Sequence, residues 1–165
     1  MAWDGAIAAI GAPMADREHM VLSIDIDDLK LFNDQFGHAG GDMVIRAAAD
    51  ILRSTLRADD SVARVGGDEF LALLPNSGER EARVVIRRIY GQMRSRRVTD
   101  HGLTPYLSVG WAAFDGDWAS TICSADEQMY ALRRRRRRTA PPRHAAAPQR
   151  SARARSRRTD TSDVA

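Results

Sequence analysis

Two apolar, strand-like segments enclose the stretch Arg64-Val65-Gly66-Gly67-Asp68-Glu69-Phe70. The segments cover residues 61–65 and 70–74, and the paired glycines between them predict a β-hairpin with a tight turn. Because glycine has no side chain, the main chain at this turn can approach a bulky anion closely. Asp68 and Glu69 would repel that anion unless a hard divalent cation lay between them. The stretch therefore indicates a site for a metal-bound nucleotide phosphate.

Length and charge indicate one folded domain followed by a basic tail. The 165 residues have room for a single domain, and a hydrophobic content of 44% is enough for an ordinary core. Residues 1–132 carry a net charge of −7, whereas residues 133–165, with 12 Arg and two Asp, carry +10. The end of the chain contains almost no large apolar residues, so we predict a disordered Arg-rich tail over residues 138–165.

Cysteine content and hydropathy exclude two classes of protein. Cys123 is the only cysteine, which excludes an intrachain disulfide and a cysteine-cluster zinc site. We expect it to be a packed thiol, and a reducing compartment fits. The longest apolar run, residues 6–15, contains Gly11 and Pro13 and is too short to span a bilayer. We expect a soluble, cytoplasmic protein that does not contact the membrane.

Hydrophobic periodicity predicts an α+β fold, with helices packed against a mainly antiparallel sheet. Asp27 and Asp28 are candidate N-caps for the first helix after the opening strand. The predicted elements are a broken or short helix within residues 2–18, a buried strand over 20–26, a helix ended by Gly37, a helix over 40–56, the hairpin, a helix over 79–96, a strand over 106–114 interrupted by Gly110, and a helix over about 120–135.

Two carboxylate clusters fall at the ends of predicted strands. Asp25 ends the first strand, and Asp68 with Glu69 occupies the hairpin tip, so neighbouring strands would bring the clusters together. Mg²⁺ prefers six oxygen ligands shared among a few carboxylates, waters and substrate phosphates. The clusters therefore suit such an ion, although acids at turns can also be simply solvated.

Two ordered runs of residues carry a family resemblance. The chain resembles the GGDEF-domain diguanylate cyclases, and the ordered set of motifs is highly specific. Later, weaker matches are Ser108-Val109-Gly110 and the Ala125, Asp126, Met129 and Tyr130 set. The main runs are Asp25-Ile26-Asp27-Asp28-Leu29-Lys30 with Asn33, Asp34, Gly37, His38, Gly41 and Asp42, and Arg57 with Asp60, Arg64 and Gly66-Gly67-Asp68-Glu69-Phe70.

The resemblance divides the chain into three parts and implies an activity. A divergent N-terminal helical segment covers residues 1–19, the GGDEF domain residues 20–137, and the tail the remainder. The fold implied is a palm like those of nucleotidyl cyclases and polymerases. The activity implied joins two GTP molecules into cyclic di-GMP with release of two pyrophosphates, and requires Mg²⁺ or Mn²⁺ and two domains that meet face to face as a homodimer.

The resemblance also assigns site residues. The catalytic residues implied are Asp25, Asp68 and Glu69. Asp68 would also help to deprotonate the attacking 3′-hydroxyl of GTP. The metal ligands implied are these three carboxylates and the Ile26 main-chain carbonyl. The GTP phosphate contacts implied are the main-chain N–H groups of Asp28, Leu29 and Lys30, the Lys30 side chain, Gly66, Gly67, Arg133 and Arg137.

Base recognition and product inhibition are implied in the same way. Asn33 and Asp42 correspond to the family's guanine contacts, since a carboxylate accepts from N1–H and the exocyclic amine of guanine. Arg57 and Asp60 match an inhibitory motif that binds cyclic di-GMP away from the active site. Alternatively, the positive charge of Arg57 could only stabilise the C-terminal end of the preceding helix through the helix dipole.

Other motif residues keep simpler interpretations. Asn33 and Asp34 could be exposed helix polars. For Asp27, the role of an N-cap is favoured over that of a metal ligand. For His38, a structural hydrogen bond is favoured over a catalytic role.

Some features depart from the family pattern. Residues 1–22 lack the family's Asp-x-Leu-Thr-x-Leu-x-Asn-Arg segment, which suggests a truncated or divergent start. Leu29 replaces a Phe, Arg133 replaces a phosphate-contacting Lys, and the family's closing strand is missing. Because no sensory module precedes the domain, we expect weak pairing of two chains.

Three functions from different classes follow. The leading hypothesis is a Mg²⁺-dependent diguanylate cyclase with product inhibition. The second is a catalytically degenerate module that binds GTP or cyclic di-GMP for signalling. The third is a nucleic-acid or anionic-surface binder, which the 12 Arg of residues 133–165 would support. A nucleic-acid role is the least favoured, because no aromatic residue lies among those arginines to stack on bases.

Overall fold

The computed structural model describes residues 7–8, 17–95 and 106–139. Residues 17–95 and 106–139 contain four strands and three helices. In chain order they are β1 Met20–Asp27, α1 Leu29–Thr55, β2 Ser61–Arg64, β3 Glu69–Leu74, α2 Glu79–Ser95, β4 Tyr106–Ala113 and α3 Trp118–Thr139.

The four strands form one antiparallel sheet in the order β2-β3-β1-β4. Strand β1 pairs with β3 on one side and with β4 on the other, and all eight of its residues are buried. A nearly continuous apolar run is what a central strand covered on both faces requires. The predicted α+β fold with an antiparallel sheet is confirmed.

Alternation along β1 sends its side chains into two separate cores. Leu22, Ile24 and Ile26 pack in the larger core with apolar residues of α1 and α2. Val21 packs in a smaller core on the opposite face, which Ile122 of α3 also joins. Because successive strand residues face opposite sides, Asp25 and Asp27 lie on the face that α3 covers.

Helix α1 is interrupted where the sequence predicts a break. Gly37 has φ 72° and ψ 175°, a conformation that glycine adopts without steric cost. The predicted end at Gly37 and restart at Gly40 are therefore confirmed as a kink. The predicted capping is not: Asp28 occupies the N-cap position without a side-chain cap, and Asp27 belongs to β1.

The predicted interruption of β4 at Gly110 is wrong, because the strand continues through it. A Cβ on this glycine would lie 2.0 Å from the Ala125 carbonyl oxygen and 2.5 Å from the Met129 nitrogen. The glycine therefore lets the main chain of α3 approach the sheet. Nearby, Ser23 Oγ donates to Asp126 Oδ1, so the Ala125-to-Met129 signature forms the contact between helix and sheet.

The C-terminal helix differs most from expectation. It runs from Trp118 to Thr139, past the predicted end at residue 135, because arginines of its last turns bind acids of β1. Cys123 is exposed, so the prediction of a packed thiol is wrong: Ile122 and Ala125 face the sheet, and Cys123 points away.

Some predictions lie largely outside the described residues. Residues 7 and 8 are helical, but most of the predicted N-terminal helix and all of the tail beyond residue 139 fall outside the described ranges. Among the helices that the structure describes, none has the length and apolar character needed to cross a bilayer.

Candidate active site

The sheet brings the two carboxylate clusters together. Asp25 of β1 is paired directly with Glu69 of β3, and the Ile26 N–H donates to the Asp68 carbonyl oxygen at 2.9 Å. The hairpin tip is thus hydrogen-bonded to the end of the central strand. The prediction that neighbouring strands bring Asp25 beside Asp68 and Glu69 is confirmed, whereas a shared cation remains a prediction.

The turn itself is held by its own main chain and by Arg64. Val65 N–H donates to the Glu69 carbonyl at 2.9 Å, and the Arg64 guanidinium donates to the carbonyls of Gly66 and Gly67 at 3.0 and 2.8 Å. A Cβ on Gly66 would lie 2.6 Å from Glu69 Oε2. Gly66 therefore makes room for the Glu69 carboxylate. Neither this role nor that of Arg64 was predicted from the sequence.

Burial and charge both act on the acids of this site. Asp25 is only 6% exposed. Burial raises its pKa from 3.8 to about 6; Asp68 and Glu69 push in the same direction, and Arg133 opposes them. Burial, followed by Asp68 and Asp126, also raises the pKa of Glu69. The carboxylates therefore repel one another.

Arginines of α3 neutralise the acids of β1. Arg133 Nη1 lies 2.7 Å from Asp25 Oδ1, and its Nε lies 2.9 Å from Asp27 Oδ1. Arg136 also binds Asp27, through Oδ2, and Arg137 Nη2 lies 2.7 Å from Asp28 Oδ1. The N-cap interpretation of Asp27 is therefore wrong, because its carboxylate is buried beneath two arginines.

The role of Arg136 was not predicted from the sequence. The signal was the spacing of residues 133, 136 and 137, which places them on one face of a helix. Ser108 Oγ donates to Asp27 Oδ1 at 2.8 Å and adds a contact from β4. Asp27 of β1, Ser108 of β4, and Arg133 and Arg136 of α3 therefore meet at the end of the central strand.

The candidate ligands are oxygen atoms, the type of ligand that a hard divalent cation prefers. The carboxylates of Asp25, Asp68 and Glu69 are neighbours, and the Ile26 N–H donates to the Asp68 carbonyl oxygen. Because the N–H and C=O of one residue point to the same side of an antiparallel strand, we expect the Ile26 carbonyl to face the hairpin as well. Within residues 7–8, 17–95 and 106–139, however, no three acidic, His or Cys side chains are placed to hold one ion together. Arg133 engages Asp25, and the Glu69 carboxylate packs on Gly66. The metal ligands remain a prediction.

The start of α1 lies beside the acids and suits an anion. The helix begins at Leu29, directly after β1, and its first hydrogen bond runs from the Phe32 N–H to the Asp28 carbonyl at 3.2 Å. The N–H groups of a first turn have no acceptor within their own helix, and the helix dipole favours negative charge there. Exposed Lys30 adds a positive charge at this point. The phosphate contacts remain predictions with a suitable location.

The kink in α1 places the predicted guanine contacts near each other. A Cβ on Gly41 would lie 1.9 Å from Asn33 Oδ1, so the Asn33 amide lies against Gly41, next to Asp42. Asn33 is half-buried, whereas Asp34, His38 and Asp42 are exposed. The simpler interpretation of an exposed helix polar therefore suits Asp34 but not Asn33.

The predicted inhibitory residues lie at the other end of β2 from the Gly66-Gly67 turn. The Arg57 N–H donates to Asp60 Oδ2 at 2.8 Å, and the Asp60 N–H donates to the Arg57 carbonyl at 3.1 Å. These bonds close a tight turn between α1 and β2. Asp60 therefore has a local structural role, and the Arg57 side chain is exposed.

Comparison with known proteins agrees with this geometry. A family model described as diguanylate cyclase, GGDEF domain, matches residues 9–139. The chain belongs to this family. Diguanylate cyclase A from Treponema denticola is 33% identical over 119 residues, which are 69% of this chain and 32% of that protein. The chain thus spans about a third of that relative's length.

Solved GGDEF-type domains share the fold. The active GGEEF domain of a diguanylate cyclase from Vibrio cholerae is 30% identical, with a TM-score of 0.68 over 72% of this chain and 78% of that one. The GGDEF domain of DgcB from Caulobacter crescentus, solved with c-di-GMP, is 27% identical, with a TM-score of 0.67 over 71% and 72% of the two chains. The predicted GGDEF fold is confirmed.

Proposed function

We propose that this GGDEF domain is a diguanylate cyclase, which condenses two GTP molecules into cyclic di-GMP and two pyrophosphates. The observation that carries the proposal is the pairing of Asp25 with Glu69 and the hydrogen bond from Ile26 to Asp68. These contacts put two distant carboxylate motifs beside the N-terminus of α1. Hard-cation ligands thus adjoin an anion-binding helix end, as a metal nucleotide requires.

The site residues divide into cation-binding and nucleotide-binding groups. Asp25, Asp68, Glu69 and the Ile26 carbonyl would hold Mg²⁺ or Mn²⁺. When bound, such an ion supplies charge neutralisation at the phosphates and favours the ionised form of a hydroxyl. The first turn of α1 with Lys30 binds the triphosphate and orients its α-phosphorus.

Guanine selection belongs to the kinked part of α1. Asp42 accepts hydrogen bonds from N1–H and the exocyclic amine of guanine, whereas adenine offers no N1–H. Asn33 supplies a second contact, through its side-chain amide, from the part of α1 that precedes the kink. Its position against Gly41 orients the amide before the nucleotide arrives.

Condensation needs two copies of the site. The 3′-oxygen of one GTP forms a bond to the α-phosphorus of the other, the bond to the bridging oxygen breaks, and pyrophosphate leaves with the electron pair. The hydroxyl proton passes to Asp68 or to solvent, and a second identical step closes the ring. Because the protein mainly positions reactants and balances charge, two domains must face each other as a homodimer.

Product inhibition is a further part of the proposal. Exposed Arg57 can bind a guanine edge or a phosphate of cyclic di-GMP through its planar guanidinium. Asp60 holds the turn that presents this arginine. The DgcB structure with c-di-GMP supports a product-binding role for such domains.

The test is a product assay with the whole chain. Purified protein is incubated with GTP and Mg²⁺, and nucleotides are separated by chromatography. We expect cyclic di-GMP from the wild type and a loss of about 10²- to 10⁴-fold in Asp68→Ala, the range for removing an acid–base group. Asp50→Ala removes an exposed acid of α1 and should retain activity. Wild-type protein that forms no product at any concentration would overturn the proposal.

A binding module is the second candidate, and the ion pair of Arg133 with Asp25 favours it. A cation site closed by an arginine could hold nucleotide without turnover. Calorimetric titration with GTP and with cyclic di-GMP separates the two functions. Binding with no product in the assay above would identify the module.

A further inference from the structure

We propose that Arg133 is a tethered cation that occupies Asp25 until a divalent ion displaces it, and that Asp27 anchors the tether. The inference rests on the proposed function, because it concerns the same cation site. Its positioning residues are Asp27, Ser108 and Arg136, none of which is among the predicted ligands. The ion pair of Arg133 with Asp25 lies where a divalent cation would otherwise balance the charges of Asp25, Asp68 and Glu69.

The geometry of Arg133 shows a bridge between two acids. Asp25 and Asp27 are two residues apart on β1, so both face α3. Arg133 reaches Asp25 with Nη1 at 2.7 Å and Asp27 with Nε at 2.9 Å. A guanidinium offers several donors in one rigid plane, so it can leave one acid and keep the other.

Asp27 is the fixed end of this bridge. It is 3% exposed, it accepts from Ser108 Oγ at 2.8 Å, and it binds Arg136 as well as Arg133. The Arg136 guanidinium carbon also lies 3.8 Å from the centre of the Tyr106 ring, which fixes that side chain in place. Both oxygens of Asp27 are therefore engaged, and a cation has no access to them.

Asp25 is the exchangeable end. Within the described part of the chain, Arg133 is the side chain that hydrogen-bonds its carboxylate. Asp25 also borders Asp68 and Glu69, which carry the negative charge that attracts a divalent ion. A cation that binds there replaces the charge of Arg133, so Asp25 is never left buried without a positive partner.

Displacement leaves Arg133 in a defined place. Its Nε remains on Asp27, while Nη1 is released beside the cation site. The freed donors then face the position where a metal-bound phosphate would lie. Cation arrival and the readiness of Arg133 for an anion are thus coupled through Asp27.

The test measures cation binding without nucleotide. Mn²⁺ is titrated into the full chain, and free Mn²⁺ is counted by electron paramagnetic resonance. Removing a competing charged hydrogen bond should raise Mn²⁺ affinity in Arg133→Gln by about tenfold. Arg133→Lys should lie between the two, because an ammonium cannot bridge both acids in one plane. Asp27→Asn releases Arg133 to Asp25 alone and should weaken Mn²⁺ binding.

Two controls separate the local contact from net charge and from folding. Arg134→Gln removes the same charge from an exposed neighbour on α3 and should bind Mn²⁺ like the wild type. Arg133→Gln combined with Asp25→Asn should lose the gain, which locates the ion at Asp25. Thermal unfolding checks that Asp27→Asn is folded, and the Arg133 variants test the proposal without it.

The outcomes are distinguishable from those of the product assay. Arg133→Gln that binds Mn²⁺ no more tightly than the wild type overturns the tethered-cation proposal, as does an equal gain in Arg134→Gln or no binding in any variant. Tighter binding in Arg133→Gln alone supports it, whether or not cyclic di-GMP forms. Absence of product with the expected Mn²⁺ pattern overturns only the proposed enzymatic function.

Discussion

Asp25 lies at the end of the central strand, where three other charged groups determine its behaviour. Its carboxylate is buried, faces Asp68 and Glu69, and is bound by Arg133. A carboxylate in this position favours its protonated form more than an exposed one does. Burial of this carboxylate beside two other acids therefore lowers the stability of the folded chain at neutral pH.

The pH dependence of unfolding should show this cost. The pKa of Asp25 is about 6 in the folded chain against an ordinary 3.8, so the folded state binds the proton more tightly. The free energy of unfolding should thus fall as pH rises from about 4 to above 6, by up to about 3 kcal/mol from this group. We expect Asp25→Asn to remove that part of the dependence and to be the more stable protein at pH 7.

Urea denaturation in the presence of EDTA, at a series of pH values, measures the effect. The difference between wild type and Asp25→Asn isolates this residue from other acids, and Asp50→Asn serves as the exposed control. If the wild type gained stability relative to Asp25→Asn as pH rose through 6, the assigned direction of the pKa shift would be wrong.

Gly41 offers a test of guanine recognition that does not remove a polar group. A Cβ at this position takes the space of Asn33 Oδ1, so Gly41→Ala must move the amide. We expect GTP affinity to fall about tenfold, the loss for one misplaced hydrogen bond to a buried partner. Calorimetry measures the affinity, and denaturation checks that the helix is intact. Unchanged GTP affinity would show that Asn33 does not contact the base.

At the level of elements, the contact of α3 with β4 depends on the absence of a side chain. Gly110 lies under the Ala125 carbonyl and the Met129 nitrogen, which are main-chain atoms that cannot rotate away. Gly110→Ala should therefore destabilise the protein by about 3 kcal/mol or more, the upper range for overpacking. Urea denaturation monitored by circular dichroism gives the value.

A matched glycine provides the control for that substitution. Gly91 lies within α2, and nothing surrounds the position of its Cβ within 4 Å. Gly91→Ala should stabilise the chain by about 1 kcal/mol, because alanine favours a helix. Equal effects of the two substitutions would exclude close packing as the reason for Gly110.

The outer edge of β4 is covered by the flanking helices. The Trp111 N–H donates to Gln128 Oε1 of α3 at 2.7 Å, and the main chain of Val109 hydrogen-bonds the Tyr90 hydroxyl of α2. Side chains thus satisfy strand groups that a neighbouring strand would otherwise bind.

At the scale of the whole molecule, the proposed reaction depends on two chains meeting. Each domain supplies one GTP, so the rate per chain should rise with protein concentration until dimers predominate. We expect a roughly proportional rise in specific activity at low concentration, measured as cyclic di-GMP formed per chain. Excess Asp68→Ala protein should inhibit the wild type by forming mixed dimers. Specific activity that is constant over a thousandfold range of concentration would contradict dimeric catalysis.

The fold shows where the positive charges of the arginine run at residues 133–138 lie. From sequence, residues 133–165 carry the net positive charge of the chain, and the last helix is expected to end near residue 135. The structure instead places residues 133–138 in α3, where Arg133, Arg136 and Arg137 bind acids of the central strand or its end. Half of this arginine run therefore belongs to the domain and balances its negative charge.

The sequence alone determined the features that depend on neighbouring residues. The hairpin around Gly66-Gly67, the apolar central strand and the break at Gly37 follow from turn chemistry and hydrophobic periodicity, which act over a few residues. Motif order predicted the family, and strand adjacency was enough to anticipate that Asp25 would meet Glu69.

Only the tertiary structure decided which side chains pair across the molecule. Arg133 meets Asp25 across 108 residues, and Gly110 is required by the main chain of a helix that follows it. Local pattern does not specify which arginines of a run of six face the sheet, since that depends on where α3 begins and how closely it packs. Asp27 looked like a helix cap for the same reason: its true partners are distant in sequence and become neighbours only when α3 docks on the central strand.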